Sequence, residues 1–176
     1  MTGIKVVRIP RRIRSENVSL RLLRLQDLPA LSRLFHEDMP MSSQAMSTAP
    51  KNLWSFRKWI FRTFQVLYLI EQKVEKRFTI HGFIGLYDIR LGENLCLAIG
   101  IFDPAERRHG LGSQALQALL NTLGKCGAAN TIQAQIAQSN LASVHLFDKL
   151  GFDIRERSAE HLTMEKSLHP AVRKYR

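Results

Sequence analysis

The sequence has little cysteine: two residues in 176, Cys96 and Cys126, with no Cys-x-x-Cys spacing. That excludes a disulfide framework and a cysteine zinc site. Long hydrophobic runs are also missing. The richest stretch, Phe64 to Ile70, is broken by Gln65 and followed by Glu71, far short of the ~18 apolar residues a membrane span needs. No apolar block follows the basic start, so no secretory leader is expected. Repeats, low-complexity tracts and internal linkers are absent, and the length suits a single domain at roughly 100–200 residues per domain. These absences predict a soluble cytoplasmic globule with no membrane association and no metal site.

Acid is scarce chiefly at the two ends. The formal net charge is +11, from 26 Lys and Arg against 15 Asp and Glu. Residues 1–14 carry five cations and no acid, and residues 169–176 carry three and no acid. Removing these eight leaves 18 cations against 15 acids, or +3, over residues 15–168. The chain therefore divides into a basic N-terminal arm (1–14), a domain (15–168) and a basic C-terminal tail (169–176). The ends are either solvated arms or contacts for an acidic protein, a ribosomal partner or phosphate.

What is present is a clear alternation of periods. Val18 to Leu25 reads as a strand displaying Arg21 and Arg24, and Asp27 caps a helix from Leu28 to Phe35. Residues 36–51 have no period and read as a loop. Asn52 opens a second helix with Leu53, Phe56, Ile60 and Phe64 on one stripe; Trp54 and Trp59 lie off it, facing a cleft or another packing partner. Strands follow at 66–71 and 78–90, separated by a charged turn at 73–77. The apolar run Leu95 to Phe102 predicts a strand buried on both faces, closed by Asp103-Pro104. A helix from Leu111 to about Leu123 ends at Gly124 and Gly127. Thr131 to Ala137 is a strand, Asn140 to Leu150 a helix, and 153–166 a closing hairpin. Three consecutive strands without helices imply antiparallel pairing, so the fold class is α/β of the α+β type: one mixed, mostly antiparallel sheet with about four helices.

Chemistry concentrates at residues 107–112, Arg-Arg-His-Gly-Leu-Gly, between a strand and a helix. Glycine permits a tight turn and close backbone approach. The helix start offers unpaired N–H groups and a positive dipole end, with Arg107, Arg108 and His109 beside it: a cradle for a pyrophosphate, or simply a Gly-rich helix start with surface arginines. A P-loop is excluded because GxxxxGK[ST] is missing. Gly110, Gly112 and Ala115 formally match a dinucleotide fingerprint, yet no Asp or Glu lies between Glu106 and Asp148 to hold a ribose. Arg-x-x-Gly-x-Gly after an apolar strand is fully present.

A second segment, residues 140–152, reads Asn-Leu-Ala-Ser-Val-His-Leu-Phe-Asp-Lys-Leu-Gly-Phe. With both motifs in this order, the chain from Phe78 to Lys166 resembles the GCN5-related N-acetyltransferase (GNAT) superfamily. Residues 9–27 are similar to the branch containing the ribosomal-protein alanine and serine acetyltransferases. The resemblance implies a sheet splayed in the middle and an acetyl-CoA-dependent transfer to a primary amine, on a protein N-terminus or a small molecule. It implies that main-chain groups of Ile101 and Phe102 meet pantetheine, and that N–H groups from Arg108 through His109, Gly110, Leu111 and Gly112 to Ser113 hold the pyrophosphate. Arg107 and Arg108 would add charge and Asn140 would bond the pantetheine side; Lys149 would reach a phosphate or only solvent.

The same resemblance exposes two departures. Where the family often carries a tyrosine acid and a central glutamate, this chain has Phe147 and Ala98. That shifts the expected chemistry to Ser143 as acid and Glu160 as base, each with an ordinary structural alternative. His36, Glu37, Asp38, Tyr87 and Asp88 are reserves bordering the acceptor groove, and Cys96 reads as a buried strand residue. Two other classes remain open: a CoA-binding or ribosome-associated module without activity, and a nucleic-acid binder using the basic ends.

Overall fold

The computed structural model describes residues 9–37, 49–74 and 77–168. Eight strands form one sheet: β1 (Arg12–Arg14), β2 (Ser19–Leu22), β3 (Val66–Val74), β4 (Arg77–Arg90), β5 (Asn94–Ile101), β6 (Thr131–Ala137), β7 (Asp153–Arg157) and β8 (His161–Ser167). Their order across the sheet is β1-β2-β3-β4-β5-β6-β8-β7. Every neighbouring pair is antiparallel except β5 and β6. Four helices flank it: α1 (Leu28–Glu37), α2 (Leu53–Thr63), α3 (Leu111–Cys126) and α4 (Leu141–Lys149). This is the mixed, mostly antiparallel architecture expected.

Local chemistry sets the helix limits. Asn52 caps α2 by accepting from the Trp54 and Ser55 N–H groups, and Asn140 caps α4 by accepting from Ser143. Gly127, at φ 62°, ends α3 in the left-handed conformation that a side chain would resist. The sheet is covered on both faces. Leu111, Ala115, Leu116, Leu119, Leu120 and Leu123 of α3 and Phe147 of α4 pack on Leu20, Ile84, Leu95 and Ile132. On the opposite face Phe35 of α1 and Phe56 and Ile60 of α2 pack on Leu69, Phe83 and Phe102.

Two expectations need correcting. The arm assigned from charge does not run to residue 14: β1 pairs with β2 through Ile13 opposite Leu20, and Ile13 is buried. The Tyr68 hydroxyl donates to the Pro10 carbonyl at 2.5 Å, fixing the chain even earlier. Three residues are too few for a period, and the cations at 12 and 14 flank the one apolar residue. Residues 1–8, the tail 169–176, Asp38 and most of the loop read at 36–51 lie outside the described residues.

The second correction concerns β5. Leu95 and Leu97 are buried, whereas Cys96 and every residue from Ala98 to Ile101 are only half covered. The cause is the neighbouring strand. β6 pairs with β5 only at Asn94–Thr131, Leu95–Ile132 and Cys96–Gln133, then diverges. The sheet is thus splayed at its centre, with both C-terminal strand ends on the open side.

Candidate functional site

The open half of β5 has main-chain groups without a strand partner on one edge. Phe102 donates its N–H to the His81 carbonyl on β4 at 2.9 Å. In an antiparallel ladder alternate residues point their N–H and C=O groups to the same neighbour. Phe102, Gly100 and Ala98 therefore address β4; the Leu97 N–H still belongs to the last β5–β6 pair, and the Leu97 carbonyl, Ile99 and Ile101 address the gap beyond it. Of the two residues expected to face pantetheine, Ile101 is so placed. Phe102 is turned away: its N–H is committed, its carbonyl accepts from Arg107, and its ring is buried against Phe35 and Phe83. Ile99, like Ile101, turns its main-chain groups to the gap.

Arg107 is also reassigned. Its guanidinium donates to the Ile101 carbonyl from Nε and Nη2, at 3.1 and 3.0 Å, and to the Phe102 carbonyl at 2.7 Å. It pins the end of β5 to the following loop. Arg108 then adopts φ 67° and Gly110 φ 83°. Two left-handed residues within three curl the backbone so that successive N–H groups converge, as in anion-binding nests. Gly110 is the N-cap of α3 and provides no side-chain acceptor. The N–H groups of Leu111, Gly112 and Ser113 therefore start the helix without an intrahelical partner, at its positive end. Leu111 contributes only backbone here, since its side chain is in the core. His109 is exposed beside the turn.

Gly112 marks where three elements converge. A β-carbon there would lie 3.7 Å from Ile99 Cδ1, 3.8 Å from Ile101 Cγ1 and 3.8 Å from Leu146 Cδ2 of α4. Across the gap, α4 begins directly after β6. Asn140 Oδ1 accepts from the Ser143 N–H at 3.1 Å, so its oxygen is spent on capping and its amide nitrogen is what it can offer a ligand. Ser143 is half-buried in that first turn. Glu160 is exposed in the β7–β8 turn, and its carbonyl accepts the Gln138 N–H at 2.9 Å, next to the end of β6. The structure thus brings the 107–113 turn, Asn140, Ser143 and the 160 turn to the open end of the split.

The remaining candidates are placed differently. Phe147 is buried, edge-to-face with Phe152 at 4.9 Å, whereas Ala98 lies on the half-covered face of β5. Both ring nitrogens of His36 face backbone carbonyls, of Ser32 at 2.6 Å and Ala49 at 3.3 Å, so it ties α1 to the next segment. Glu37 closes α1. Burial, with Cys96 and Asp88 nearby, pushes the Tyr87 phenol up to about 12; it keeps its proton at neutral pH. Asp88 adopts φ 46°, and Lys149 is exposed in the last turn of α4, away from the gap. Burial also raises the Cys96 thiol, as suits a strand residue and not a nucleophile. Among the described residues no three His, Cys, Asp or Glu groups gather as a metal site.

One feature had no signal in the sequence. The α1–α2 layer contributes to a core cluster that holds none of the β6, β7 or β8 residues among those described. On that side β6 and β8 present half-buried polar residues, with Gln133 and Arg155 both donating to Glu165 at 2.7 and 2.8 Å. His81, whose carbonyl holds Phe102, carries a buried Nε2 without a partner among the described residues.

Comparisons with known proteins agree with this geometry. A family model described as an acetyltransferase (GNAT) domain matches residues 17–153. No curated protein matches the sequence. Among solved structures, the ribosomal L7/L12 α-N-protein acetyltransferase RimL in complex with coenzyme A is similar, with a TM-score of 0.75 and 16% identity, over 90% of this chain and 99% of that one. Spermidine N-acetyltransferase from Vibrio cholerae aligns with a TM-score of 0.70 and 15% identity, over 88% and 95%. An acetyltransferase of the GNAT family from Bacillus anthracis aligns with a TM-score of 0.71 and 16% identity, over 89% and 98%.

Proposed function

Because the chain belongs to the GNAT acetyltransferase family, an acyl-CoA-dependent class of enzymes, we propose that it moves the acetyl group of acetyl-CoA to the primary amine of a polypeptide, most simply at its N-terminus. The observation that carries this is the three-pair β5–β6 contact with the uncapped start of α3 at its mouth. Backbone N–H groups of 108–113 receive the diphosphate, and the free groups on the edge of β5, the Leu97 carbonyl, the Ile99 main chain and the Ile101 N–H, pair with pantetheine as with an added strand.

The chemistry follows from those contacts. The amine nitrogen attacks the thioester carbonyl, a C–N bond forms, and the electron pair moves to oxygen, where a strand N–H from the free edge of β5 stabilises it. The C–S bond then breaks and the thiolate takes a proton, while the nitrogen loses one. Ser143, at the α4 N-terminus, gives the proton to sulfur, and Glu160 removes the proton from nitrogen. An α-amino group, with an ordinary pKa of ~7.7–8.0, is still mostly protonated at neutral pH, and a lysine-like amine at ~10.4 far more so, which is why a base matters; the thiolate of a thiol at ~8.5 is a good leaving group. Alignment of the two substrates supplies much of the rate.

Acetyl-CoA at micromolar concentration should raise the melting temperature, and Gly112→Glu should abolish that rise by placing a carboxylate among the phosphate donors. No stabilisation at millimolar acetyl-CoA or CoA refutes the reading. Unchanged turnover in both Ser143→Ala and Glu160→Ala would remove those two roles alone. A second reading, a CoA-binding module without activity, draws on buried Phe147 and on Ala98; such a protein would bind CoA and acetylate nothing in a broad amine panel.

A further inference from the structure

The outer face of α2 carries a surface that the transfer reaction does not use. Residues 39–70 contain no Asp or Glu, and their four cations, Lys51, Arg57, Lys58 and Arg62, all lie on or just before this helix. Its inner side, Phe56 and Ile60, is already in the core. Its outer side exposes large apolar groups among the cations: Leu53 at 43%, Trp54 at 61% and Phe61 at 52%. Positions 53, 57 and 61 fall on one ridge, and 54, 58 and 62 on the next. Apolar anchors thus alternate with positive charge over the whole helix.

The location ties this face to the acceptor side. Phe56 packs on Phe35 at 5.5 Å, and Phe35 packs on Phe102 at 5.6 Å, at the end of β5 where the sheet opens. At the other end of α2, Phe64 meets Tyr87, which pairs with Cys96 at the closed part of the split. α2 therefore runs along the wall above Ala98 and Gly100, on the face opposite α3 and α4. A macromolecule presenting an amine to that face passes α2.

We propose that the outer face of α2 docks the polypeptide that carries the acceptor amine, through a segment in which carboxylates stand beside apolar side chains. The proposal rests on the acetyltransferase reading and narrows its substrate class. Charge complementarity demands an anionic partner, and exposed Trp and Arg together are the residue types that dominate protein–protein contacts. Two other anionic surfaces fit less well. Arg57 Cζ and Lys58 Nζ sit 5.7 and 5.0 Å from the Trp54 ring centroid, so the ring is partly occupied by its own helix and is a poor platform for stacking bases. A bilayer needs a wide continuous apolar stripe to insert; the continuous stripe of α2, Phe56 and Ile60, is buried, and its exposed apolar groups are separated by cations. A polycationic acceptor would be repelled.

The test uses the full chain and fluorescence anisotropy. The probes are a labelled peptide with a free amino terminus and a body of Asp, Glu, Leu and Phe; the same peptide with Lys for each acid; a uridine oligonucleotide of equal charge; and phosphatidylserine vesicles. The acidic peptide should bind best, and Arg57→Glu with Lys58→Glu, or Trp54→Ser alone, should weaken it at least about tenfold. All three side chains are exposed, and the shift in melting temperature caused by CoA should be the same in each variant. No binding of the acidic peptide, equal binding in the variants, or tighter binding of RNA or vesicles through these residues would overturn the proposal. Loss of the CoA shift in the unmodified chain would instead refute the acetyltransferase reading.

Discussion

Gly112 and Gly110 sit two residues apart and resist substitution for different reasons. Gly110 holds φ 83°, so any side chain there meets backbone strain, worth about 1–2 kcal/mol. Gly112 is helical, and a methyl group would make only ordinary contacts at 3.7–3.8 Å with Ile99, Ile101 and Leu146. Gly112→Ala should therefore stabilise the free protein, by about 0.5–1 kcal/mol from helix propensity, or roughly 2–4 °C per kcal/mol at this size. The same methyl fills the throat between β5 and α4 that the thioester arm must pass. Thermal scans with and without CoA should show a higher baseline and a smaller ligand shift. A lower baseline or an unchanged shift would contradict this. The glycines and the neighbouring arginines were legible as a motif, because spacing alone encodes a turn followed by a helix start. Which side chains would be free was not: Arg107 is consumed by the Ile101 and Phe102 carbonyls, a return contact across six and five residues that no spacing pattern encodes.

Between elements, the first three strands and the turn before α1 are joined by a buried ion cluster. Arg21 donates to Asp27 from Nη1 at 2.8 Å and Nη2 at 3.1 Å, and from Nε to Glu71 at 2.7 Å; Arg12 approaches Glu71 at 3.4 Å. Burial pushes the Asp27 carboxyl up, but hydrogen bonds from the Arg21 guanidinium and the Arg24 N–H outweigh it and hold the group below its ordinary value. The folded form thus binds this proton more weakly than the unfolded chain. The resulting stability is complete above about pH 4 and lost as pH falls through the folded value. Denaturant titrations should show that Asp27→Asn flattens this part of the acid limb. Arg21→Met should cost about 3–5 kcal/mol at neutral pH by leaving the Asp27 carboxylate buried without its salt-bridge partner and Glu71 with Arg12 alone. Tyr68→Phe tests β1 separately: losing the bond to Pro10 should cost about 1 kcal/mol and increase hydrogen exchange at residues 12–14. The helices were readable because each has an apolar period, and α2 and α4 add the side-chain caps Asn52 and Asn140. Arg21 appeared only as a displayed strand cation, since its partners lie 6 and 50 residues away.

Across the whole molecule the two halves of the sheet meet through three residue pairs in β5 and β6 and through the packing of α3. Strand order and composition indicated a mixed sheet, but periodicity describes one strand at a time. It made β5 look buried on both faces, because the residues that fail to cover it belong to a strand some 35 residues later in the chain. A ligand pairing with β5 and held by the starts of α3 and α4 would bridge exactly that weak contact. It binds the folded chain alone, so at a hundredfold excess over its Kd it should add about 2.7 kcal/mol. The gain should also be local. Hydrogen exchange of the Ile99 and Ile101 amides, which face the gap, should slow markedly with CoA, while those of Ala98 and Gly100, already paired with β4, and of Leu97, already paired with β6, change less. The 108–113 amides should follow the first set. Uniform slowing over β1 to β8 would mean that CoA merely reports global stability, and slowing confined to α2 would place it on the wrong face of the sheet. The alternating pattern along β5 is what distinguishes a ligand acting as an added strand from one lying across the sheet.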